Sequence, residues 1–62
     1  MPQTFGAVLK GRRKMRGITI VELAERTGLS QADLVGVELG LKGLTFGQRH
    51  RIEAFIRRQR II

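Results

Sequence analysis

The sequence has no cysteine, tryptophan or tyrosine, a single proline and only five acidic residues among its 62. Without cysteine, neither disulfides nor a thiolate metal site can support the core of so short a chain, so packed aliphatic side chains must supply the stability. The apolar runs are far shorter than the roughly 20 residues that a membrane-spanning helix needs. Residues 1–4 also lack the segments of a secretory leader. We therefore expect a cytoplasmic protein without a membrane segment or a membrane partner.

Basic residues outnumber acidic residues by more than two to one. Twelve Lys and Arg give the chain a net charge of +7, which favours a polyanionic partner such as nucleic acid or an acidic membrane surface. Ten of them stand in two clusters: Lys10, Arg12, Arg13, Lys14 and Arg16, then Arg49, Arg51, Arg57, Arg58 and Arg60. Each cluster is either a phosphate-contacting surface or a solvated helix face, and charge alone leaves both open.

Four polar residues predict where helices begin: Thr4, Thr19, Ser30 and Thr45. Each has a hydroxyl that can accept a hydrogen bond from an amide of the first helical turn. The last three open capping boxes, because a Glu, Asp or Gln stands three residues later. The first helix is expected over 4–16 and ends at Gly17, while Gly28 and Gly40 end the second and third. No period-two alternation predicts a strand, so we expect one all-α domain over residues 1–62.

Apolar residues at helical spacing define the expected core. They are Phe5, Val8, Leu9 and Met15; Leu23 and Ala24; Leu29; Leu34 and Val37; and Phe46, Ile52, Phe55 and Ile56. Five further apolar residues have no evident place in it: Leu39, Leu41, Leu44, Ile61 and Ile62. Exposed together, these five would form a patch of the kind that marks an interface. The alternative is that Leu44 packs locally at the start of the fourth helix and the two isoleucines fray.

Four residues in the middle of the chain form the most informative pattern. Ala24 is small where two helices touch, and Gly28 makes a tight turn. Leu34 and Val37 then seat the following helix on the one before it. A pair of helices joined in this way leaves the outer face of the second helix free for a DNA major groove.

The run over residues 23–31, L-A-E-R-T-G-L-S-Q, followed by V-E-L-G at 37–40, resembles the Cro and phage repressor family of helix-turn-helix proteins, also called XRE-like. The resemblance covers nearly the whole chain. It implies a compact, lambda-repressor-like bundle of four or five helices, with the helix-turn-helix at about 19–39 and a recognition helix that starts at Ser30. It also implies a bacterial or phage-encoded transcriptional regulator, such as a repressor, that binds double-stranded DNA as a dimer on a palindromic operator, without cofactor, metal or catalysis.

The resemblance also assigns individual contacts. Base contacts fall to four residues of the recognition helix: Gln31, Ala32, Val35 and Gly36. Phosphate contacts fall to Arg12, Arg13, Thr19, Ser30, Lys42 and Gly43. A structural salt bridge joins Arg13 to Glu38, and a dimer contact uses Leu41, Leu44, Ile61 and Ile62. The assignment of Gln31 as a base contact also has a physical reason, because a side-chain amide can form hydrogen bonds with adenine N6 and N7 at the same time.

Some residues depart from the family's pattern. Ile20 replaces a polar residue that would bond a phosphate, and Leu44 stands where proline is common. Arg49 and Glu53 occupy places that are usually apolar. The outward positions of the third helix offer few hydrogen bonds, and Asp33 repels phosphate. Base recognition through this helix is therefore expected to be sparse.

Two other functions stay open. A protein-interaction module with the same fold would hold a partner on its apolar recognition surface, as an antiactivator or an assembly subunit does. A cationic membrane-surface peptide fits the charge but not the three capping boxes. An enzyme is not expected, because His50 has no partner at metal or catalytic spacing and no phosphate-loop or oxyanion-hole sequence is present.

Overall fold

Four α-helices make up most of residues 4–59, the part of the chain that the computed structural model describes. They are α1 (Phe5–Met15), α2 (Ile20–Thr27), α3 (Gln31–Glu38) and α4 (Phe46–Arg58). No strand occurs within this described part, so the all-α prediction is confirmed. The last helix is unbroken, which makes four helices over residues 4–59 and excludes the five-helix alternative there. None of the four is long and apolar enough to cross a membrane.

Each helix begins where a hydroxyl was expected to cap it. Thr4, Thr19, Ser30 and Thr45 all have extended backbone and accept a hydrogen bond from the amide three residues on. A complete capping box forms only at Thr45, where the Gln48 Oε1 accepts from the Thr45 amide at 3.0 Å. At Ser30 the hydroxyl half of the expected box forms, whereas the Asp33 carboxylate pairs with Lys42 in place of the Ser30 amide. At Thr19 only the hydroxyl half of the box forms.

A short left-handed turn joins α2 to α3. Gly28 has φ 74°, a conformation that L side chains rarely adopt, and its amide donates to the Ala24 carbonyl at 2.9 Å. Only residues 28–30 separate the two helices. Gly17 and Gly40, with φ of 68° and 77°, follow the ends of α1 and α3, as the sequence predicts. Glycine and hydroxyl positions therefore predict the helix boundaries to within a residue or two.

The core lies where α3 meets α1 and α2 and where α4 packs on α2. Its buried apolar residues are Leu9, Ile18, Leu23, Ala24, Leu34, Val37, Ile52 and Ile56. Leu23, Leu34 and Ile52 have no exposed surface, and each comes from a different helix. Burying a side chain of this kind contributes roughly 1.5–3 kcal/mol of transfer free energy. One contiguous core therefore draws buried residues from all four helices.

Two residues expected in the core lie on the surface. Met15 is 69% exposed and Phe46 is 87% exposed. Each stands six residues from a buried residue of its own helix, Leu9 or Ile52, and at 3.6 residues per turn this places it about 120° away around the helix. Ile18, which the helical spacing did not single out, is buried in the turn after α1 instead.

α1 crosses α3 at backbone contact, and Gly6 makes this possible. A Cβ at Gly6 would come within 1.9 Å of the Val37 carbonyl oxygen and 3.1 Å of the Glu38 Cα. A glycine inside a helix costs up to about 1 kcal/mol relative to alanine. The close approach explains why glycine stands there, and it sets the distance at which Arg13 of α1 reaches Glu38 of α3.

Candidate nucleic-acid interface

The outer face of α3 is open to solvent. Leu34 and Val37 turn inward into the core, whereas Gln31, Ala32 and Val35 are exposed. Three of the four residues expected to contact bases therefore lie on one accessible helix face. Only Gln31 among these three can donate or accept a hydrogen bond through its side chain.

Gly36, the fourth expected base contact, is half-buried beneath the loop that follows α3. The Leu41 amide donates to the Gly36 carbonyl at 2.9 Å, and the Lys42 Cβ lies 3.5 Å from where a Gly36 Cβ would be. The loop folds back along the helix because the left-handed Gly40 reverses the chain. The structure therefore makes Gly36 a packing position for the loop, a role that sequence reasoning missed.

An ion pair between Asp33 and Lys42 fastens this loop to α3. The Lys42 Nζ donates to Asp33 Oδ1, and the two side chains remain 51% and 38% exposed. The pKa of Asp33 is held below its ordinary value, first because Lys42 donates to its carboxylate and also because Ser30 bonds to it. The pair neutralises the carboxylate that was expected to repel phosphate. Lys42, expected on a phosphate, is here engaged by a residue of its own chain.

The salt bridge between Arg13 and Glu38 is present and partly buried. The Arg13 Nε and Nη2 donate to the two Glu38 carboxylate oxygens at 2.8 and 2.9 Å. The Arg13 Nη1 also donates to the Ile18 carbonyl at 2.9 Å. The bond to Glu38 raises the pKa of Arg13. Because all three guanidinium nitrogens have protein acceptors, the structure gives Arg13 a structural role, while its phosphate contact stays a prediction.

The remaining expected phosphate contacts do not all lie together. Thr19 and Ser30 are exposed at the N-termini of α2 and α3, where unpaired amides and the helix dipole favour an anion. Gly43 is exposed in the loop after α3. Arg12 is exposed too, but it lies on the side of α1 that faces α4, beside Ile56. Ser30 and Gly43 therefore stand at the two ends of α3 or just beyond them, whereas Arg12 lines the side of α1 that faces α4.

Several basic residues of the two clusters have partners within the protein. The Arg16 Nε donates to the Gln59 carbonyl at 3.3 Å, which ties the end of α1 to the end of α4. The Arg49 guanidinium stacks over the Phe5 ring, 4.4 Å from its centroid, and its Nε lies 3.4 Å from the Glu53 carboxylate. Arg16 and Arg49 therefore make contacts that hold α1 and α4 together, in addition to contributing positive charge. The charge pattern of the sequence did not reveal these contacts.

The expected dimer surface is only partly exposed. Leu41 is exposed, but Leu44 is half-buried and packs against the core, so the local-packing alternative describes Leu44 better. Ile61 and Ile62 lie outside the described residues. Leu39 and Phe46, which are close to Leu41 in the sequence, are also exposed. The apolar surface of the segment from residue 39 to 46 is thus formed by Leu39, Leu41 and Phe46.

Comparisons of the chain with protein families, with curated proteins and with solved structures found no match. Within residues 4–59, no group of His, Asp and Glu side chains is arranged to hold a metal ion. His50 is exposed on α4. The exposed polar groups on and beside α3 include the Gln31 amide, the helix N-terminus at Ser30 and Lys42, which is held in an ion pair.

Proposed function

We propose that this chain is a sequence-specific DNA-binding transcriptional regulator of helix-turn-helix type, with α3 as its recognition helix. The observation that carries the proposal is the geometry of α2 and α3. Three residues, 28–30, join the two helices, and α3 seats Leu34 and Val37 in the core while its opposite face stays open. A major groove is wide enough to admit a helix presented in this way. The net charge of +7 supports a polyanionic partner.

Gln31 carries the base recognition in this proposal. It is the first residue of α3 and is exposed, so its amide can bond adenine N6 and N7 when the helix enters the groove N-terminus first. Ala32 and Val35 have only methyl groups to offer, which suit the thymine C5-methyl. A single bidentate contact with apolar neighbours gives modest direct recognition, so DNA shape contributes part of the specificity.

Phosphate contacts come from the ends of α2 and α3 and from the loop. The amides at the starts of both helices, beside Thr19 and Ser30, can donate to phosphate oxygens. Gly43 offers an exposed backbone amide. Lys42 can exchange the Asp33 carboxylate for a phosphate, since both partners are half-exposed. These contacts position the helix without carrying sequence information.

The regulator acts as a dimer in this proposal. Leu39, Leu41 and Phe46 are exposed in and beside the loop after α3, where a two-fold contact would set the half-site centres about 34 Å apart on a palindromic operator. Leu44 is withdrawn from this contact because it packs against the core. Output then comes from occupancy of the operator in the bacterial cytoplasm, without a cofactor.

Selection of bound sequences from a random duplex pool tests the proposal, and an enriched adenine-containing half-site is expected. Gln31→Ala should then weaken binding to the selected site by about 1–3 kcal/mol and leave binding to scrambled DNA unchanged. Gln59→Ala, which removes the same amide at the end of α4, is the matched control. Equal losses on both DNAs would reduce Gln31 to a phosphate contact. No enriched sequence, with affinity insensitive to salt, would reject the proposal.

A second function is favoured by the apolar character of the same surface. Val21 of α2 and Val35 of α3 are both exposed, and α3 has few hydrogen-bonding groups. A protein-interaction module would use these side chains to hold an apolar partner surface. If Val35→Ser leaves duplex affinity intact while it abolishes capture of a purified protein partner, this function replaces the first.

A further inference from the structure

A cleft of about 260 Å³ separates α1 from α4. It exists because α1 packs on α3 and α4 packs on α2, so the two outer helices face each other across a gap. The Arg16 bond to the Gln59 carbonyl joins the helices at one end, and the Arg49 stack on Phe5 joins them at the other. No residue of α3 lines the cleft, so it is separate from the proposed recognition surface.

The floor of the cleft is apolar. Leu9 of α1 and Ile52 and Ile56 of α4 line it, and each is at least nine-tenths buried. They are members of the main core, so the floor is a rigid part of the fold. These three side chains have almost no exposed surface, so the apolar surface that a ligand can remove from water belongs to the half-buried Phe5 and Val8, which also line the cleft.

The mouth of the cleft is charged. Arg12 stands on the α1 side, with no carboxylate within salt-bridge distance among the described residues. Arg49 and Glu53 stand on the α4 side as a loose pair, 3.4 Å apart. Two guanidinium groups against one carboxylate leave a positive excess at the rim. A ligand that complements this cleft therefore has an anionic head and an apolar body.

Two of the four α4 residues that line the cleft are charged, although they stand at positions that usually pack against another helix. Positions 49, 52, 53 and 56 form an i, i+3, i+4, i+7 stripe, which is apolar throughout when its only task is burial. Here positions 49 and 53 carry Arg and Glu, the residues whose charge the sequence pattern left unexplained. Both side chains keep about a third or more of their surface exposed, so α4 presents charged groups to the cleft in place of a continuous apolar stripe.

We propose that the cleft between α1 and α4 binds a small amphipathic anion, a carboxylate with a short aliphatic or aromatic body. The body contacts Phe5 and Val8 on the α1 side of the cleft, and the carboxylate accepts hydrogen bonds from Arg12 and Arg49. The volume is slightly below the roughly 300–1,000 Å³ of drug-sized ligands, so the ligand is small. The site depends on α1 and α4 alone and stands whether or not α3 binds DNA.

Titration of sodium octanoate into isotopically labelled protein, followed by methyl and amide chemical shifts, tests the proposal. Saturable shifts are expected at the Val8 methyl groups and at the amides of Phe5 and Val8, with much weaker binding of octan-1-ol and octylammonium. Arg12→Gln should weaken octanoate binding by about tenfold, because a charge-assisted hydrogen bond is lost. Arg57→Gln removes the same charge from an exposed position of α4 that does not line the cleft, and it should leave octanoate binding unchanged.

Glu53→Leu separates the cleft from general charge attraction. This variant makes the chain more positive but fills the gap, so thermal stability should rise while octanoate binding is lost. Tighter octanoate binding by Glu53→Leu would show nonspecific charge attraction and overturn the proposal. Equal binding of octan-1-ol and octanoate would reduce the cleft to an apolar void. Shifts at the cleft that depend on protein concentration without octanoate would assign it to a second copy of the chain.

Discussion

Two ion pairs hold the same short helix, and they differ in burial. Arg13 and Glu38 join α1 to the end of α3 with side chains only 11% and 6% exposed. Asp33 and Lys42 join the start of α3 to its following loop with side chains 38% and 51% exposed. A buried charge left without its partner is costly, whereas an exposed one regains water. The first contact is therefore structural, and the second is free to exchange partners.

Breaking the buried pair should have the largest effect. Glu38→Ala leaves the Arg13 guanidinium partly buried without its carboxylate, and we expect a loss of about 3 kcal/mol in the free energy of unfolding. Chemical denaturation of Arg13→Ala, Glu38→Ala and the double variant measures the coupling between the two residues. The unfolding free energy of the double variant should fall by less than the sum of the falls for the two single variants. Strictly additive losses would mean that the pair contributes nothing as a unit.

A methyl group at Gly6 should also damage the contact between α1 and α3. Gly6→Ala places a Cβ against the Val37 carbonyl, so the helices must separate, and we expect a loss of about 2 kcal/mol in unfolding free energy despite the better helix propensity of alanine. Gly11→Ala, in the same helix with nothing within 4 Å of its Cβ, is the control and should be neutral or stabilising. Similar thermal melts for both variants would contradict the close approach.

Removing the charge of the exposed pair should change DNA binding more than stability. Asp33→Asn releases Lys42 and deletes a negative charge from the face of α3, so affinity for duplex DNA should rise and its salt dependence should steepen by about one phosphate contact. Glu53→Gln deletes the same charge from α4 and serves as the control. Measured over a range of salt concentrations, an equal gain for both variants would show that only net charge matters. The unfolding free energy of Asp33→Asn should fall only slightly below that of the parent chain at neutral pH, because the pair is exposed.

The smallest expected effect is a pH dependence that comes from Asp33. Its pKa in the folded protein lies below the ordinary value of 3.8, mainly because Lys42 donates to its carboxylate. The pair's contribution is therefore complete above that ordinary value and is lost as the pH falls through the lower, folded pKa. Denaturant midpoints of the parent chain and of Asp33→Asn should converge in acid. A constant difference between them down to about pH 2 would contradict the pair.

Features that depend on neighbours along the chain were predictable. A capping hydroxyl bonds an amide three residues later, and a terminal glycine reverses the chain within one helical turn. Thr45 and Gly28 therefore mark the start of α4 and the end of α2 whatever the rest of the chain does. The inward positions Leu34 and Val37 follow from the same helical period. Phe46 was misplaced because it lies about 120° around α4 from the buried Ile52, off the stripe that this period defines.

The sequence by itself determined the helices, their ends and the charge, since these follow from backbone hydrogen bonding and composition. Apart from the Arg13–Glu38 salt bridge, which the family resemblance implied, only the tertiary structure decided which charges are used internally. It brings Asp33 to Lys42 and Arg49 to Phe5, pairs that no helical period connects. It also explains Gly6 by the Val37 carbonyl that passes it. Such contacts depend on where helices cross, and the crossing depends on how all the buried side chains fit together at once.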